Sequence, residues 1–557
     1  MGEMFNGKRL SRRGFLGGFA GAAGAAILAA CGGETATVAP TAAPVATRAA
    51  TVAATTGSAA TTAPAATTGA AAATTAPTTA AAVATTAPAV ATTAPAATTG
   101  ATTSVAVPAT TGAAINPTAA ASATLGGQSQ FVTAFANTAG AGSPVDSVMI
   151  RQRTELVFYH SQTGPNEIAL KQITDAFTAA NPNIVINLQG LTSYDNVSAK
   201  VRADLQGGKP PDLAVGYEND VANYMTGEAV LDLAPYINSK TYGWTREDLN
   251  DIFPGFLDRN LYRDFKNQIL SAPFAASVLM MWVNNDMLKS MNMTAPKTWD
   301  DFKRIADMSV KAGKKGLPIN TDASILDGMV FSFGGEVISA DNKRGQFDTP
   351  AAMGALQVLD DMGKAGTLYQ VRSTADSQAA FTNGEVPFYL GSSTGRGYIQ
   401  DTIFKDKANP GAGDKFDWAG TSIPQGPSNQ NSPKTALYGG NVIVFKTTPE
   451  KQLASWQFVK YFASRDVTAK WGQVTGYLPV RKSAAESVEY KAFLAMKPVN
   501  GAPLAVAPSG KGEPQPAGWS KSRTDIAEVM AKLFNKQTSA MMAAQELQMK
   551  INRNLSE

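Results

Sequence analysis

Two features of this chain have side chains suited to covalent chemistry. Gly391-Ser392-Ser393-Thr394-Gly395 fits the G-x-S-x-G pattern, in which a sharp strand-to-helix turn raises a serine hydroxyl for attack. Ser393 would then be the nucleophile of a surface serine hydrolase, and it needs a base. The chain has one histidine, His160. It lies far upstream, whereas the elbow arrangement places its histidine after the serine; other triads put histidine first, so the hydrolase stays as a minor alternative. The second feature is Cys31, the only cysteine, which leaves no intrachain disulfide. The sequence contains no H-E-x-x-H and no Cys/His cluster at metal-ligand spacing. The expectation is a protein with no cofactor, no metal and no catalytic role.

The elements that would position these residues follow from periodicity. Residues 155–160, 184–188 and 213–215 read as strands, and 168–180 and 195–206 as helices between them. Strand, helix, strand, helix, strand is the mark of a parallel sheet with crossover helices. Residues 278–283, 386–390 and 441–445 read as further strands, with Pro387 at an edge or entry position. Residues 299–312 and 451–463 read as helices, and the tail 523–552 is mostly helical. His160 ends the first strand, which suits a residue lining a cleft. Trp282, Trp299, Trp456 and Trp471 read as core.

The N-terminal quarter is of another kind. From residue 35 to 145 the only charge is Arg48, and residues 61–70 recur verbatim at 92–101. A tract of Ala, Thr, Pro, Gly and Val with no aromatic residue up to residue 130 cannot bury enough apolar surface to offset chain entropy. Residues 32–147 are expected to be a disordered tether, spanning about 55–60 Å as a flexible coil. Its Thr/Pro content also suits O-glycosylation. Before it, Arg12 and Arg13 resemble a twin-arginine export signal, the apolar run after them is too short to span a membrane, and Leu28-Ala29-Ala30-Cys31 resembles a bacterial lipobox. Residues 1–31 are therefore expected to be a signal peptide, with Cys31 lipidated on the extracytoplasmic face of the membrane. All seven tryptophans fall from residue 244 onward, so residues 148–557 hold the core. The net charge of +4 is dispersed, with no basic run interleaved with aromatics, which argues against nucleic acid.

Several stretches in this folded part resemble family 1 extracellular solute-binding proteins of ABC importers. They are Thr475-Gly476-Tyr477-Leu478-Pro479-Val480, Trp282-Val283-Asn284-Asn285-Asp286, Pro296-Lys297-Thr298-Trp299-Asp300-Asp301-Phe302 and Phe347-Asp348-Thr349-Pro350. Phe158-Tyr159-His160-Ser161-Gln162-Thr163-Gly164 is similar to the first strand and loop of the glycerol-3-phosphate-binding members. The resemblance implies an α/β fold of two lobes with a hinge and an interlobe cleft. Lobe 1 would hold about 148–275 plus 441–476, and lobe 2 about 279–438 plus 480–557. Crossings would fall near 273–283, 438–442 and 476–481. It also implies a monomer that captures a sugar or polyol phosphate and docks on membrane permease subunits.

Binding positions carried over by local match are Tyr194, Glu218, Ser277, Ser392 or Ser393, Gly439 and Gly440, Tyr477 and Arg523. Arg523 would fork a phosphate, and the tyrosines would supply flat walls with polar tips. Trp519 departs from the family pattern and would stack on a sugar, which keeps a neutral oligosaccharide open. Each position also has a plain reading. The tyrosines would be rim packing, the glycine pair a tight turn, Glu218 a helix N-terminal acid and Arg523, at a helix start, a salt-bridge partner. A stalked adhesion protein is a further alternative.

Overall fold

The structure is a computed structural model that describes residues 129–135, 138–403 and 413–557. The basic start, Cys31 and residues 32–128 of the expected tether lie outside the described residues. In chain order the strands are β1 (Thr154–His160), β2 (Ile184–Gly190), β3 (Leu213–Gly216), β4 (Leu261–Tyr262), β5 (Gln268–Ile269), β6 (Ser277–Asn284), β7 (Leu317–Ile319), β8 (Leu368–Gln370), β9 (Phe388–Ser392), β10 (Trp418–Thr421), β11 (Thr435–Tyr438), β12 (Asn441–Val444) and β13 (Gly510–Gly512).

The first lobe is built on the sheet β12-β3-β1-β2. β1 runs parallel to β2 from Thr154↔Ile184 to His160↔Gly190, and parallel to β3 at Phe158↔Leu213. β12 closes the sheet antiparallel, at Asn441↔Gly216. Helices Gly164–Ala180 and Tyr194–Gln206 make the crossovers. The first buries Ala169, Leu170, Ile173 and Phe177, a stripe at helical spacing, and Phe177 meets Phe458 edge-on at 5.4 Å. The second starts where the Ser193 hydroxyl accepts from the Asn196 amide at 3.1 Å. It ends at Gly207 and Gly208, the latter at φ +69.

The second lobe centres on β6, whose eight residues are all buried. Such a run needs cover on both faces, and the alternation of side chains supplies two different packings. Leu279, Met281 and Val283 join one apolar cluster with Phe302, Leu326, Phe388 and Ile526. Val278, Met280 and Trp282 join another that continues into the first lobe. β6 pairs antiparallel with β9, β10 and β11, and β13 adds to β11. Pro387 sits just before β9, where its carbonyl accepts from the Asn284 amide at 2.9 Å, so it is an entry proline. Trp282, Trp299, Trp456 and Trp471 are all buried.

The three expected crossing segments meet side by side. Ala272 bridges Val442, the Ala275 amide donates to the Gly440 carbonyl at 3.0 Å, and the Leu478 amide donates to Ala276 at 2.8 Å. The third passage differs from the sequence expectation. Arg481 bridges Ile252 and pairs with Asp248 at 2.9 Å. The Ser483 hydroxyl donates to Asp251 at 2.6 Å. Residues 480–485 therefore stay with the first lobe, and the chain reaches the second-lobe sheet only at helix Pro498–Val506. A buried arginine seeks a carboxylate, and those carboxylates are on the first lobe.

The folded body also begins earlier than residue 148. Helix Gln130–Phe135 and the turn Pro144–Ser147 belong to it. Phe131 and Val145 are buried in the first-lobe core. The Asp258 carboxylate accepts from the Ser129 hydroxyl at 2.7 Å and from the Phe131 amide at 3.1 Å.

Candidate functional site

The interlobe crossing gathers most of the candidate residues. Tyr194 opens its helix with its hydroxyl accepting from the Gly440 amide at 2.9 Å. Its ring lies 4.6 Å from the Tyr217 ring. Tyr217 follows β3, and Asp220 reaches back to accept its amide at 3.1 Å, which fixes the start of helix Glu218–Met225. Glu218 is the first residue of that helix, where the dipole favours an acid. It is buried in an ion pair with Arg259 and accepts from Asn441 at 3.1 Å. Arg259 also donates to the Gly439 carbonyl at 3.0 Å.

The glycine pair is required by its geometry. Gly439 has φ +105, and a Cβ there would sit 1.9 Å from the Ala275 carbonyl oxygen. Ser277 is buried beside it, donating to the Tyr438 carbonyl at 3.2 Å. Ser392 ends β9 and accepts from the Thr394 amide at 3.2 Å. Tyr477 stacks on Trp471 at 5.5 Å and receives the Gln162 side-chain amide at 3.3 Å. Burial, with the Tyr194 phenol nearby, raises the Tyr477 pKa well above its ordinary value. The loop after β1 makes a second interlobe tie, with Tyr398 donating to the Thr163 carbonyl at 2.9 Å.

Arg523 stands in the second turn of helix Gly518–Phe534 rather than at a helix start. Its guanidinium lies 4.6 Å from the Tyr217 ring centroid, a cation–π contact between lobes. It pairs with Glu513 at 3.0 Å and Asp322 at 3.5 Å, and donates to Ser324 at 3.2 Å. Asp322 doubles as the cap of helix Ala323–Ser332, which brings Ser324 into reach.

Three candidates fall elsewhere. Ser393 is fully buried with its hydroxyl donating to the Gly476 carbonyl at 3.0 Å, so it ties the β9 turn to the crossing. The strand–turn–helix shape expected around it is present, between β9 and helix Gly395–Ile403. His160 is buried at the end of β1 against Phe158 and Gly190, with Nδ1 unpartnered. Trp519 is fully buried in the second-lobe core. It has no exposed face for a sugar, because the helix presses that side chain inward. Concavities lined by Trp418 and Pro498, and by Arg153 and Lys451, contain none of the candidates.

Tyr217, Arg259, Glu513 and Asp322 complete the shell and are not evident in the sequence reading. Arg259 and Glu218 lie 41 positions apart, with no periodic pattern linking them. Tyr217, directly before Glu218, is the one whose neighbourhood already carried a signal.

Two α/β lobes, joined by paired crossings over a buried polar shell, define the class of two-lobe periplasmic binding folds. The chain belongs to the bacterial extracellular solute-binding protein family, whose profile matches residues 172–498. It is similar to the sn-glycerol-3-phosphate-binding periplasmic protein UgpB of Shigella flexneri, 24% identical over 363 residues, covering 62% of this chain and 78% of that one. Its fold matches UgpB from Mycobacterium tuberculosis in complex with glycerophosphocholine, with TM-score 0.63 and 18% identity over 72% of this chain and 98% of that one. It also matches the cyclic alpha-maltosyl-1,6-maltose binding protein from Arthrobacter globiformis, with TM-score 0.59 and 20% identity over 72% of this chain and 99% of that one.

Proposed function

We propose that this chain captures a sugar or a polyol phosphate between its lobes and hands it to the permease of an ABC importer. The observation that carries the reading is the meeting of Tyr194, Gly440, Ser277 and Arg523 at the crossing between lobes. Ligands of open α/β folds sit at such interfaces, and hinge closure converts occupancy into a shape a partner can read. Relatives that bind sugars and glycerol phosphates support the solute class. Tyr194 and Tyr477 would form the walls and Ser392 would offer a hydroxyl, while Ser277, the Gly440 amide and Glu218, engaged with Tyr438, Tyr194 and Arg259, would hold the crossing in shape. The protein would need no cofactor and act as a monomer.

Calorimetry of the chain against maltose, trehalose, glycerol-3-phosphate and glycerophosphocholine tests this. Micromolar binding of one, weakened at least about tenfold by Tyr194→Ala, is the expected result. No binding by any of the four removes the sugar and polyol-phosphate assignment. The Ser393 bond to Gly476 supports a positioning role over a nucleophilic one. Ester hydrolysis abolished by Ser393→Ala would reverse that.

The lipobox-like pattern supports acylation of Cys31, a tether over most of residues 32–128 and an extracytoplasmic location. More than one acyl chain is needed for stable anchoring. Membrane-fraction protein that becomes soluble on Cys31→Ala is the expected outcome, and an unchanged partition removes the anchor.

A further inference from the structure

The guanidinium of Arg523 is engaged through NH1, through NH2 and on one face, while no hydrogen bond of Nε is among those of the described residues. Its NH1 donates to both Glu513 oxygens at 3.0 Å and to Ser324 at 3.2 Å. NH2 lies 3.5 Å from Asp322. One face rests on Tyr217. The Glu513 side chain is only 2% exposed and the Arg523 side chain 16%, so water does little of the solvating. Behind them Asp327 is fully buried with neither carboxylate oxygen partnered. Its burial and the charge of Glu513 raise its pKa well above the carboxylate range. The cluster thus sets Glu513 and Asp322 against one guanidinium with Asp327 buried behind them; burial raises the pKa of Glu513 as well as that of Asp327, and the Arg523 charge opposes the rise in both.

We propose that Glu513 is the built-in counter-anion of Arg523, and that the interlobe site accordingly takes an uncharged saccharide or polyol rather than a phosphomonoester. This rests on the interlobe reading above and narrows its solute class. A phosphate reaching the NH1 side of Arg523 has to displace Glu513 and leave a buried carboxylate unpaired, a change that is strongly unfavourable, and one at the remaining edge faces the like charge of Glu513. It also meets like charge from Asp322 in a setting where screening is weak. A neutral hydroxyl meets no such opposition. It can accept from the guanidinium edge or donate to Glu513 without breaking the pair.

The test is calorimetry with the full chain, using sn-glycerol-3-phosphate, inorganic phosphate, maltose and trehalose, on the wild type, Glu513→Gln and Glu513→Ala. Wild type is expected to bind neither phosphate probe at millimolar concentration. Glu513→Gln frees the guanidinium while keeping shape, and should tighten glycerol-3-phosphate at least about tenfold. Glu513→Ala serves if the first variant melts without a cooperative transition. Wild-type binding of glycerol-3-phosphate that is lost in Arg523→Ala overturns the proposal. So does a folded Glu513 variant that gains no phosphate affinity. Maltose bound by wild type with no gain in the variants sinks the counter-anion role and leaves solute capture standing. Phosphate gained by the variants with no sugar bound by wild type sinks the sugar assignment and leaves the counter-anion role standing.

Discussion

The Tyr194 hydroxyl accepts the Gly440 amide at 2.9 Å, tying the first turn of a first-lobe helix to the strand segment returning from the second lobe. The approach is close because Gly440 has no side chain; a Cβ would lie 2.4 Å from Tyr194 Cε1. Gly440→Ala should push the ring off Tyr217 and cost about 1–3 kcal/mol. Tyr194→Phe keeps the ring and gives up one hydrogen bond, costing about 0.5–1.5 kcal/mol. Thermal denaturation of both variants ranks them. Equal melting points for Gly440→Ala and wild type would show that the ring moves aside freely.

The Glu218–Arg259 pair is enclosed, with side chains 2% and 9% exposed. Breaking such a pair is worse than lacking it, because one charge stays buried alone. Arg259→Ala should lose about 3–5 kcal/mol, and adding Glu218→Gln should recover part of that. Urea midpoints for the single and double variants check the sign. A double variant less stable than Arg259→Ala would mean that Glu218 is held by Asn441 without needing the arginine.

These two contacts mark how far the sequence could be read. The β–α–β alternation of the first lobe and the apolar run of β6 are local, so periodicity reveals them. Tyr477 sits in a motif that carries the resemblance, and Gly439 and Gly440 follow from it as carried-over positions before a strand, so their place near the crossing is legible too. Glu513 is not, since it lies in a loop without periodic pattern and meets Arg523 only when a helix folds back over it. The same limit hid the start of the folded body. Phe131 and Val145 are isolated apolar residues in a tract of small ones, and only their burial against the first-lobe core reveals their part. Trp519 shows the opposite failure: an aromatic beside a candidate arginine invites a ligand role, yet its ring is fully buried in the second-lobe core.

His160 gives a pH dependence. Burial lowers its pKa below the ordinary 6.5, opposed by the charge of Glu167 on the neighbouring helix and by a backbone hydrogen bond at Gln162. A folded state that resists protonation binds fewer protons than the unfolded chain below that value. The contribution to stability is therefore complete above pH 6.5 and falls as pH drops toward the lowered folded pKa. His160→Gln should flatten this part of the profile. Melting points of wild type and variant at pH 7.5 and pH 5 test it, and parallel profiles would assign the acid sensitivity to other groups.

Asp327 gives a dependence of the opposite sign. Its folded pKa is raised by burial and by Glu513, so the folded state keeps a proton that the unfolded chain releases above the ordinary value of 3.8. Its contribution is intact below that value and declines as pH rises through the window up to the raised pKa. Asn has nearly the same shape and no proton to lose. Asp327→Asn should match wild type near pH 4 and exceed it increasingly at higher pH, by as much as about 1.4 kcal/mol per pH unit inside the window. Chemical denaturation at pH 4.5 and pH 8 measures the difference. A variant less stable than wild type at pH 8 would show that Asp327 is ionised there and balances Arg523, which would make it a second counter-anion beside Glu513 rather than a neutral neighbour.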